Sequence, residues 1–491
     1  MNFEHPDIRS HSKSKPKANK LGAQLAEVIR SEILEAMLPV GHVIGSEADL
    51  LAHYNTSRST FREAVRQLET HGLIRTRRGN NGGLIVADTP QQTVIKTLAT
   101  HLELIDVNLD ELFEALTPLE TRAAGLAAER ASGEDLERLR ALAEQLTKAS
   151  PSVEGVATQL AIRELIAVMT QNPALTLLIG AIGRAILELT ASGFGASAFG
   201  IGYTKGAKRK NAIVEAISAR DAAGAEAAML TDLLQRKKRM ESSLVPQARK
   251  IERSGASPEA QSGYGYGPKL AQRMAVRIAR RIMQGEVSPG EPLGTEPQLM
   301  DELGISRTTL REAIRLLELH GLVVTRRGYG GGLMGGSPDP SYTIETTVDY
   351  IRHLNIDIAH LEEARELLAV AVAGLSARRC NHSDHLRLTE ILAAQFAAEP
   401  ESFPMAARAV QVAIAETSGN PVLTLLTKTL LAANLSESPH PLSPTEIKTF
   451  NRNHSALIAA IGAGDEKLSK LRARQHIVYV KRFLERQRKS S

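Results

Sequence analysis

Apolar residues recur at helical spacing near the beginning of each half of the chain. In the first half, Leu21, Leu25, Ile29 and Ile33 are four residues apart, with Val28 beside them. This spacing places them on one face of an amphipathic helix. The second half carries the same pattern, at Leu270, Met274, Ile278 and Ile282.

A second and a third helix are predicted to follow in each half. Ser46 and Thr295 each precede, by three positions, a residue whose side chain can hydrogen-bond back, as in a capping box. Asn55 and Gly304 come next at equivalent positions, and both tolerate the left-handed backbone of a tight helix–turn–helix bend. The third helix begins after a serine N-cap, Ser57 or Ser306. Its inward face carries Phe61, Val65 and Leu68 in one half and Leu310, Ile314 and Leu317 in the other.

The two halves are copies of one unit. Residues 57–84 return at 306–333 with 19 of 28 positions identical, and "TQNPALTLL" returns as "SGNPVLTLL". Each unit has a small front domain, which ends in two short strands around a Gly-rich tip, and a larger helical rear domain. We therefore predict a mainly α fold with a disordered basic tail at 1–19, winged helix-turn-helix domains at 20–88 and 269–337, all-helical bundles at 89–244 and 338–491, and a flexible linker at 245–268.

The composition is typical of a globular protein in a reducing compartment. The chain is 43% hydrophobic and 23% charged, and its single cysteine, Cys380, cannot form an internal disulfide. No apolar run approaches the roughly 20 residues that cross a bilayer, and the N-terminus lacks the apolar centre of a signal peptide. We expect a cytoplasmic protein with no membrane partner. No Walker loop, dinucleotide fingerprint or catalytic triad order is present, so we do not expect an enzyme.

Positive charge is concentrated in the repeated segment. Residues 57–80 carry six Arg against two Glu, and residues 306–329 carry five Arg against two Glu. Arginine can bind phosphate or guanine bidentately, so we predict that the third helix and the wing of each half bind double-stranded DNA. The alternative is that these charged residues form an ordinary solvent-exposed helix face with no binding role. The predicted DNA-binding residues are Ser57, Arg58, Ser59, Thr60, Arg62, Arg77, Arg78 and Gly82, and Ser306, Arg307, Thr308, Thr309, Arg311, Arg326, Arg327 and Gly331.

The front domains resemble the GntR family of bacterial transcription regulators. The resemblance rests on "PVGHVIGSEADLLAHYNTSRSTFREAVRQLETHGLI" and "SPGEPLGTEPQLMDELGISRTTLREAIRLLELHGLV", which are similar to the family's PG…SE…L…SR…REA…LE..GL pattern. It implies a nucleoid-associated regulator, most often a repressor of a metabolic operon. Family members often carry an Arg after the Glu of the SE motif, whereas Ala48 and Pro297 occupy that position here. One expected DNA contact per unit is therefore missing.

The rear domains resemble the FCD, or FadR-like, effector domain, an all-helical bundle. Many such domains hold a zinc-like divalent metal through Asp and His residues, and the metal holds a carboxylate effector. The matching positions hold Gln159, Arg163, Lys210 and Asp232 in the first unit, and Ala407, Gln411, His454 and His476 in the second. The ligand set is incomplete, so no cofactor is expected with certainty, and His454 and His476 are remnants at most.

Two interpretations of these positions remain open. In one, Arg163 and Lys210 supply positive charge that binds a small anionic effector directly, while Arg365, His454 and His476 line the second pocket; Leu116 replaces Arg365 in the first unit. In the other, these positions have lost their ligand-binding role and serve only the structure of the bundle. The chain is expected to act as a covalent pseudo-dimer or as a homodimer of tandem chains. The alternative function is a DNA-organising scaffold whose rear domains serve only for assembly.

Overall fold

The structure is a computed structural model that describes residues 18–35, 42–70, 73–77, 83–87, 91–148, 153–193, 203–254, 270–326, 332–433 and 442–490. It is mainly helical, as the sequence predicts. The contacts divide the chain into two compact units: residues up to Thr93 with Arg352–Leu354, and the remainder. None of the described helices combines the length and the apolar character needed to cross a bilayer.

The first front domain is a helix-turn-helix followed by a small sheet. Leu25, Ile29 and Ile33 of its first helix pack against Phe61 and Leu68 of its third, as predicted. Val28 was expected beside them but is exposed, and so is Leu270 of the equivalent helix in the second half. Its three antiparallel strands lie in the order β1-β3-β2. The elements are α1 (Ala18–Glu35), β1 (Val43–Gly45), α2 (Glu47–His53), α3 (Arg58–Thr70), β2 (Ile74–Arg77) and β3 (Gly83–Val86).

The first rear domain, here called bundle 1, consists of seven described helices. They are α4 (Gln91–Leu104), α5 (Leu109–Arg130), α6 (Gly133–Lys148), α7 (Val153–Met169), α8 (Pro173–Gly193), α9 (Tyr203–Ser218) and α10 (Ala222–Ser254). Helix α10 continues to Ser254, so the first ten residues of the segment expected to be a flexible linker are helical.

The second front domain repeats the first, with a sheet in the order β4-β6-β5. Gly321, between its third helix and the wing, has φ +75, and a Cβ there would lie 2.7 Å from the carbonyl oxygen of Ser337. Only glycine satisfies both the left-handed backbone and this close approach. The elements are α11 (Leu270–Met283), β4 (Pro292–Gly294), α12 (Glu296–Leu303), α13 (Arg307–Leu319), β5 (Val323–Arg326) and β6 (Gly332–Gly335).

The second rear domain, bundle 2, shares one continuous apolar core with bundle 1. Its helix α15 packs against α5 and α8 of bundle 1. The helices of bundle 2 are α14 (Ser341–His353), α15 (Ile358–Arg379), α16 (His382–Phe396), α17 (Phe403–Thr417), α18 (Pro421–Ala433), α19 (Pro444–Gly462) and α20 (Glu466–Ser490).

Polar contacts between the bundles occur as a matched pair. Arg130 of bundle 1 donates two hydrogen bonds to the carboxylate of Glu363, at 2.7 and 3.1 Å, and the amide of Asn172 donates to the same carboxylate at 2.9 Å. At the other end, Arg379 of bundle 2 donates to Glu114 at 2.6 Å and Asn420 donates to it at 2.9 Å.

Each member of one set is the repeat equivalent of a member of the other. Arg379 and Glu363 lie 249 positions after Arg130 and Glu114, and Asn420 lies 248 after Asn172. The bundles therefore meet as two copies of one patch, the arrangement found in a two-fold dimer interface, but within one polypeptide.

The second front domain also contacts bundle 1. Leu104, at the end of α4, belongs to the apolar core of that front domain. Nearby, Nδ1 of His101 lies 3.1 Å from Nδ1 of His320, with both rings buried. The amide of Gln272 donates to Glu103 at 3.0 Å and to Glu188 of α8 at 3.4 Å. The second front domain, here called the second head, is thus connected to helices α4 and α8 of bundle 1.

Candidate DNA interface and effector sites

Serine caps begin the third helix of each front domain, as predicted. The hydroxyl of Ser57 accepts from the backbone N–H of Thr60 at 3.2 Å, and that of Ser306 accepts from Thr309 at the same distance. The preceding turn has a left-handed residue in both copies, with φ 43 at Asn55 and +65 at Gly304. Each helix N-terminus is therefore held at a defined angle after the turn.

The arginines of the first turns project into solvent. The side chains of Arg58 and Arg62 are about 70% exposed, and those of Arg307 and Arg311 are more than 60% exposed. In each copy the carboxylate of one glutamate reaches both arginines: Glu47 at 3.3 and 3.5 Å, and its equivalent Glu296 at 3.0 and 3.4 Å. These arginines are accessible to a DNA duplex, and a weak exposed ion pair orients them.

The other predicted DNA-binding residues divide into four groups. Ser59 and Thr308 are exposed beside the arginines. Thr60 is buried and Thr309 is half-buried, each with its hydroxyl 2.9 Å from that of its cap serine, so both contact the cap. Arg77 and Arg326 are exposed at the ends of wing strands β2 and β5. Four predicted positions lie outside the described residues: Arg78, Gly82, Arg327 and Gly331.

Bundle 1 contains a buried cluster of charges at the positions expected for an effector site. Nζ of Lys210 donates to Asp232 at 2.7 Å, and Nε of Arg163 donates to Glu120 at 3.0 Å. Both predicted cations therefore have carboxylate partners already. Arg236 of α10 was not among the predicted residues; its Nη2 lies 3.4 Å from Glu120 and its guanidinium lies over the ring of Phe113.

Positive charge exceeds negative charge in this cluster. Arg209 also donates to Asp232, at 3.0 Å, so four cations are paired with two carboxylates, and the half-buried Arg239 acts on Arg209 and Arg236 as a further positive charge. Burial lowers the pKa of Arg236 to about 10, and repulsion from Arg163 adds to the effect. Burial also lowers the pKa of Lys210, and Asp232 offsets only part of that shift.

Bundle 2 has a nearly neutral pocket at the equivalent place. It encloses about 50 Å³, which is room for one or two water molecules. Arg365 at its wall is paired with Glu362 at 2.5 Å and donates to Gln411 at 3.1 Å. The remaining walls are mostly aliphatic, with polar atoms from Thr427, His454 and His476.

The two histidines of this pocket contact each other. Nδ1 of His454 donates to Oε1 of Gln395 at 2.7 Å, which leaves its Nε2 as an acceptor for Nε2 of His476 at 3.2 Å. Burial lowers the pKa of His454 to about 4, and burial together with the neighbouring His454 lowers the pKa of His476 well below its ordinary value. Both rings are therefore neutral at physiological pH.

Neither site fits a metal ion. Among the described residues no three His, Cys, Asp or Glu side chains come together as a ligand set. In bundle 1 the cations Arg163 and Lys210 occupy ligand positions and would repel a metal. In bundle 2 two imidazoles lack a carboxylate, and Gln411 and Arg365 complete the ring of polar groups.

The residues that connect the bundles, and Arg236, were not identified from the sequence as functional. The signal for the first group was present, because Glu114, Arg130 and Asn172 each recur at the repeat offset as the same residue type. Arg236 gave no such signal, since Val480 occupies the equivalent position and an arginine in a charged helix is normally solvated.

Comparison with known proteins agrees with this geometry. The model of the family "Bacterial regulatory proteins, gntR family" matches residues 21–82 and 270–331, and that of the "FCD domain" matches residues 111–235 and 360–479. Each front domain is thus followed by its own FCD domain, twice in one chain.

Individual relatives match one unit. The putative L-lactate dehydrogenase operon regulatory protein of Escherichia coli is 28% identical over 227 residues, covering 44% of this chain and 87% of its own length. The galactonate operon transcriptional repressor of the same organism is 27% identical over 159 residues, covering 31% and 69%. A solved Streptococcus agalactiae GntR structure is 22% identical, with a TM-score of 0.32, and covers 45% of this chain and 100% of its own. The chain belongs to the GntR family of bacterial regulatory proteins, with two front and FCD domain pairs in tandem, and is a DNA-binding transcription regulator, not an enzyme.

Proposed function

We propose that one copy of this chain binds one operator as a built-in dimer and represses a metabolic operon until a small anionic metabolite binds a rear domain. The observation that carries the proposal is the matched pair of contacts between the bundles, in which Arg130 and Asn172 bind Glu363 while Arg379 and Asn420 bind Glu114.

Covalent linkage explains why such an interface is useful within one chain. A tether replaces a concentration-dependent association with an effective concentration in the millimolar range. It also permits the two front domains to diverge at exposed positions of the third helix, such as Ser59 against Thr308, which suits a near-palindromic operator with unequal half-sites. The relatives named as regulators of an L-lactate dehydrogenase operon and of a galactonate operon support a metabolic carboxylate as the signal.

A route from ligand to DNA is available in the contacts of bundle 1. Glu188 is on α8 of that bundle, and through Gln272 it contacts the first helix of the second head. Arg184, one turn before Glu188, donates to it at 2.8 Å. A shift of α8 upon ligand binding would therefore displace contacts that hold the second head.

Substitution of single arginines tests the DNA interface. We expect Arg58→Ala and Arg307→Ala each to weaken operator binding by about 1 to 3 kcal/mol, because each removes one groove contact. The matched control is Arg140→Ala, which removes the same charge from an exposed position on α6 and should leave affinity within about 0.5 kcal/mol of wild type. Fluorescence anisotropy with a labelled operator at fixed salt measures all three. Equal affinity of wild type, Arg58→Ala and Arg307→Ala would show that the heads do not read DNA through these helices.

The scaffold alternative makes a different prediction. An assembly protein would bind the operator and unrelated duplexes with similar affinity, and no small carboxylate would change either value. The regulator proposed here discriminates between the duplexes by at least about a thousandfold and responds to a ligand. The same anisotropy titrations, repeated with unrelated DNA and with small carboxylates, distinguish the two functions.

A further inference from the structure

We propose that bundle 1 contains a metal-independent binding site for a small oxyanion with two negative charges, in which Arg236 and Arg209 donate to the ligand. The inference rests on the proposed function, since it identifies the ligand class of the first effector domain. It differs from the expectation drawn from the sequence, because Arg163 and Lys210 form the inner, already paired part of the site.

Unpartnered donors are the first evidence. Nε and Nη1 of Arg236 and Nη2 of Arg209 are buried, and none of the three has a hydrogen-bond acceptor among the residues that the structure describes. Arg236 as a whole is only 9% exposed. Buried donors of charged groups are nearly always satisfied in folded proteins, so three in one cluster indicate that an acceptor belongs there.

Charge balance is the second and independent evidence. The ion-paired part of the cluster has four cations, Arg163, Arg209, Lys210 and Arg236, and two carboxylates, and the half-buried Arg239 adds a positive charge at its edge. An excess of at least two largely buried positive charges is unfavourable unless an anion compensates it. A ligand with two negative charges and at least three oxygen acceptors would neutralise the excess and satisfy the donors. Dicarboxylates and inorganic phosphate share that chemistry.

Bundle 2 provides the contrast. At the positions of Lys210, Asp232 and Arg236 it has His454, His476 and Val480, and its one pocket arginine is already paired with Glu362. Arg408, which is close enough to Arg365 to be repelled by it, adds one positive charge there, so the excess is smaller than in bundle 1. Under this inference the two effector domains differ in ligand class, and the dianion acts on bundle 1.

Thermal unfolding of the full chain in EDTA tests the site. The probes are malonate, succinate and inorganic phosphate, with chloride at matched ionic strength as the reference. At about fifty times Kd, we expect at least one dianion to raise the unfolding temperature by about 2 to 4 °C. Arg236→Met should abolish that shift. Arg122→Met, which removes an arginine of the same bundle whose partners are Glu129 and Glu226, should retain it.

A second readout separates ligand binding from a purely structural role. Because Arg236 carries part of the charge excess, Arg236→Met should unfold at the same or a higher temperature than wild type when no dianion is present. A lower temperature with an unchanged dianion response would show that Arg236 serves only as a partner of Glu120. The inference would also be overturned if none of the three dianions stabilised wild type, or if stabilisation required added zinc.

Operator titrations keep this inference distinct from the proposed function. If the dianion binds through Arg236 but operator affinity is unchanged, the site exists and the ligand-responsive part of the proposed function fails. If a carboxylate changes operator affinity equally in wild type and Arg236→Met, the proposed function survives and this site is wrong.

Discussion

Removal of the two inter-bundle glutamates should loosen the junction between the halves. Glu363 accepts two hydrogen bonds from Arg130 and one from Asn172, with side-chain exposures of 25% for Glu363 and 32% for Arg130. Hydrogen bonds to charged groups contribute about 1.5 to 3 kcal/mol when buried. Partial exposure reduces this, so we expect about 1 to 2 kcal/mol for Glu363→Ala.

The symmetry of the interface doubles the effect. Glu114→Ala should cost a similar amount, because Glu114 has the equivalent partners, Arg379 and Asn420. The double variant should therefore lose about 2 to 4 kcal/mol, if the two ends act independently. Urea unfolding followed by circular dichroism measures the loss, and Glu137→Ala, on an exposed position of α6, is the control.

The pH dependence of this loss follows from the state of Glu363. Burial alone would raise its pKa, but hydrogen bonds from Arg130 and Asn172 outweigh burial and lower it below the ordinary value of 4.5. A lowered pKa means that the stabilisation is present above pH 4.5 and disappears as the pH falls through the folded-state value. The difference between wild type and Glu363→Ala should shrink in acid. A double variant that unfolds at the same urea concentration as wild type at pH 7 would refute the assigned interface.

The remaining predictions concern the second head. Burial lowers the pKa of His101 to about 4 and that of His320 to about 3, so docking should weaken as the pH falls below 6.5, by up to about 1.4 kcal/mol per pH unit for each histidine. Burial raises the pKa of Glu103 to about 7, which opposes that loss, so Glu103→Gln should steepen the acid dependence of unfolding and His101→Leu should flatten it. Gly321→Ala should destabilise the second head by about 1 to 3 kcal/mol more than Gly304→Ala. Both glycines have positive φ, but only at Gly321 would the added Cβ clash with backbone atoms. Equal losses of stability in calorimetry would contradict this steric reasoning.

Local signals explain why the heads could be predicted in detail. The serine caps at Ser57 and Ser306, the left-handed turns at Asn55 and Gly304 and the apolar faces of the helices all involve residues close in sequence. Their geometry is decided within one or two helical turns. Thr60 is the exception, since the sequence does not reveal whether a threonine in a first turn points outward or bonds to the cap.

Long-range charge pairs could not be predicted in the same way. Glu120 and Arg236 lie 116 positions apart, and only the packing of α5 against α10 brings them together. From the sequence alone, each is expected to be a solvent-exposed residue of an amphipathic helix. Arg163 was identified by position, but its pairing with Glu120 depends on the same packing. The helix that continues to Ser254 shows a related limit, because composition favoured a linker where the chain extends an existing helix.

The number of chains on one operator tests the central claim most directly. Light scattering coupled to size-exclusion chromatography, at micromolar protein with a single-operator duplex, gives the mass of the complex. If the matched bundle contacts complete a dimer within one polypeptide, the complex contains one chain and one duplex, and the double variant of Glu114 and Glu363 departs from that composition. A wild-type complex of two chains on one duplex would contradict it.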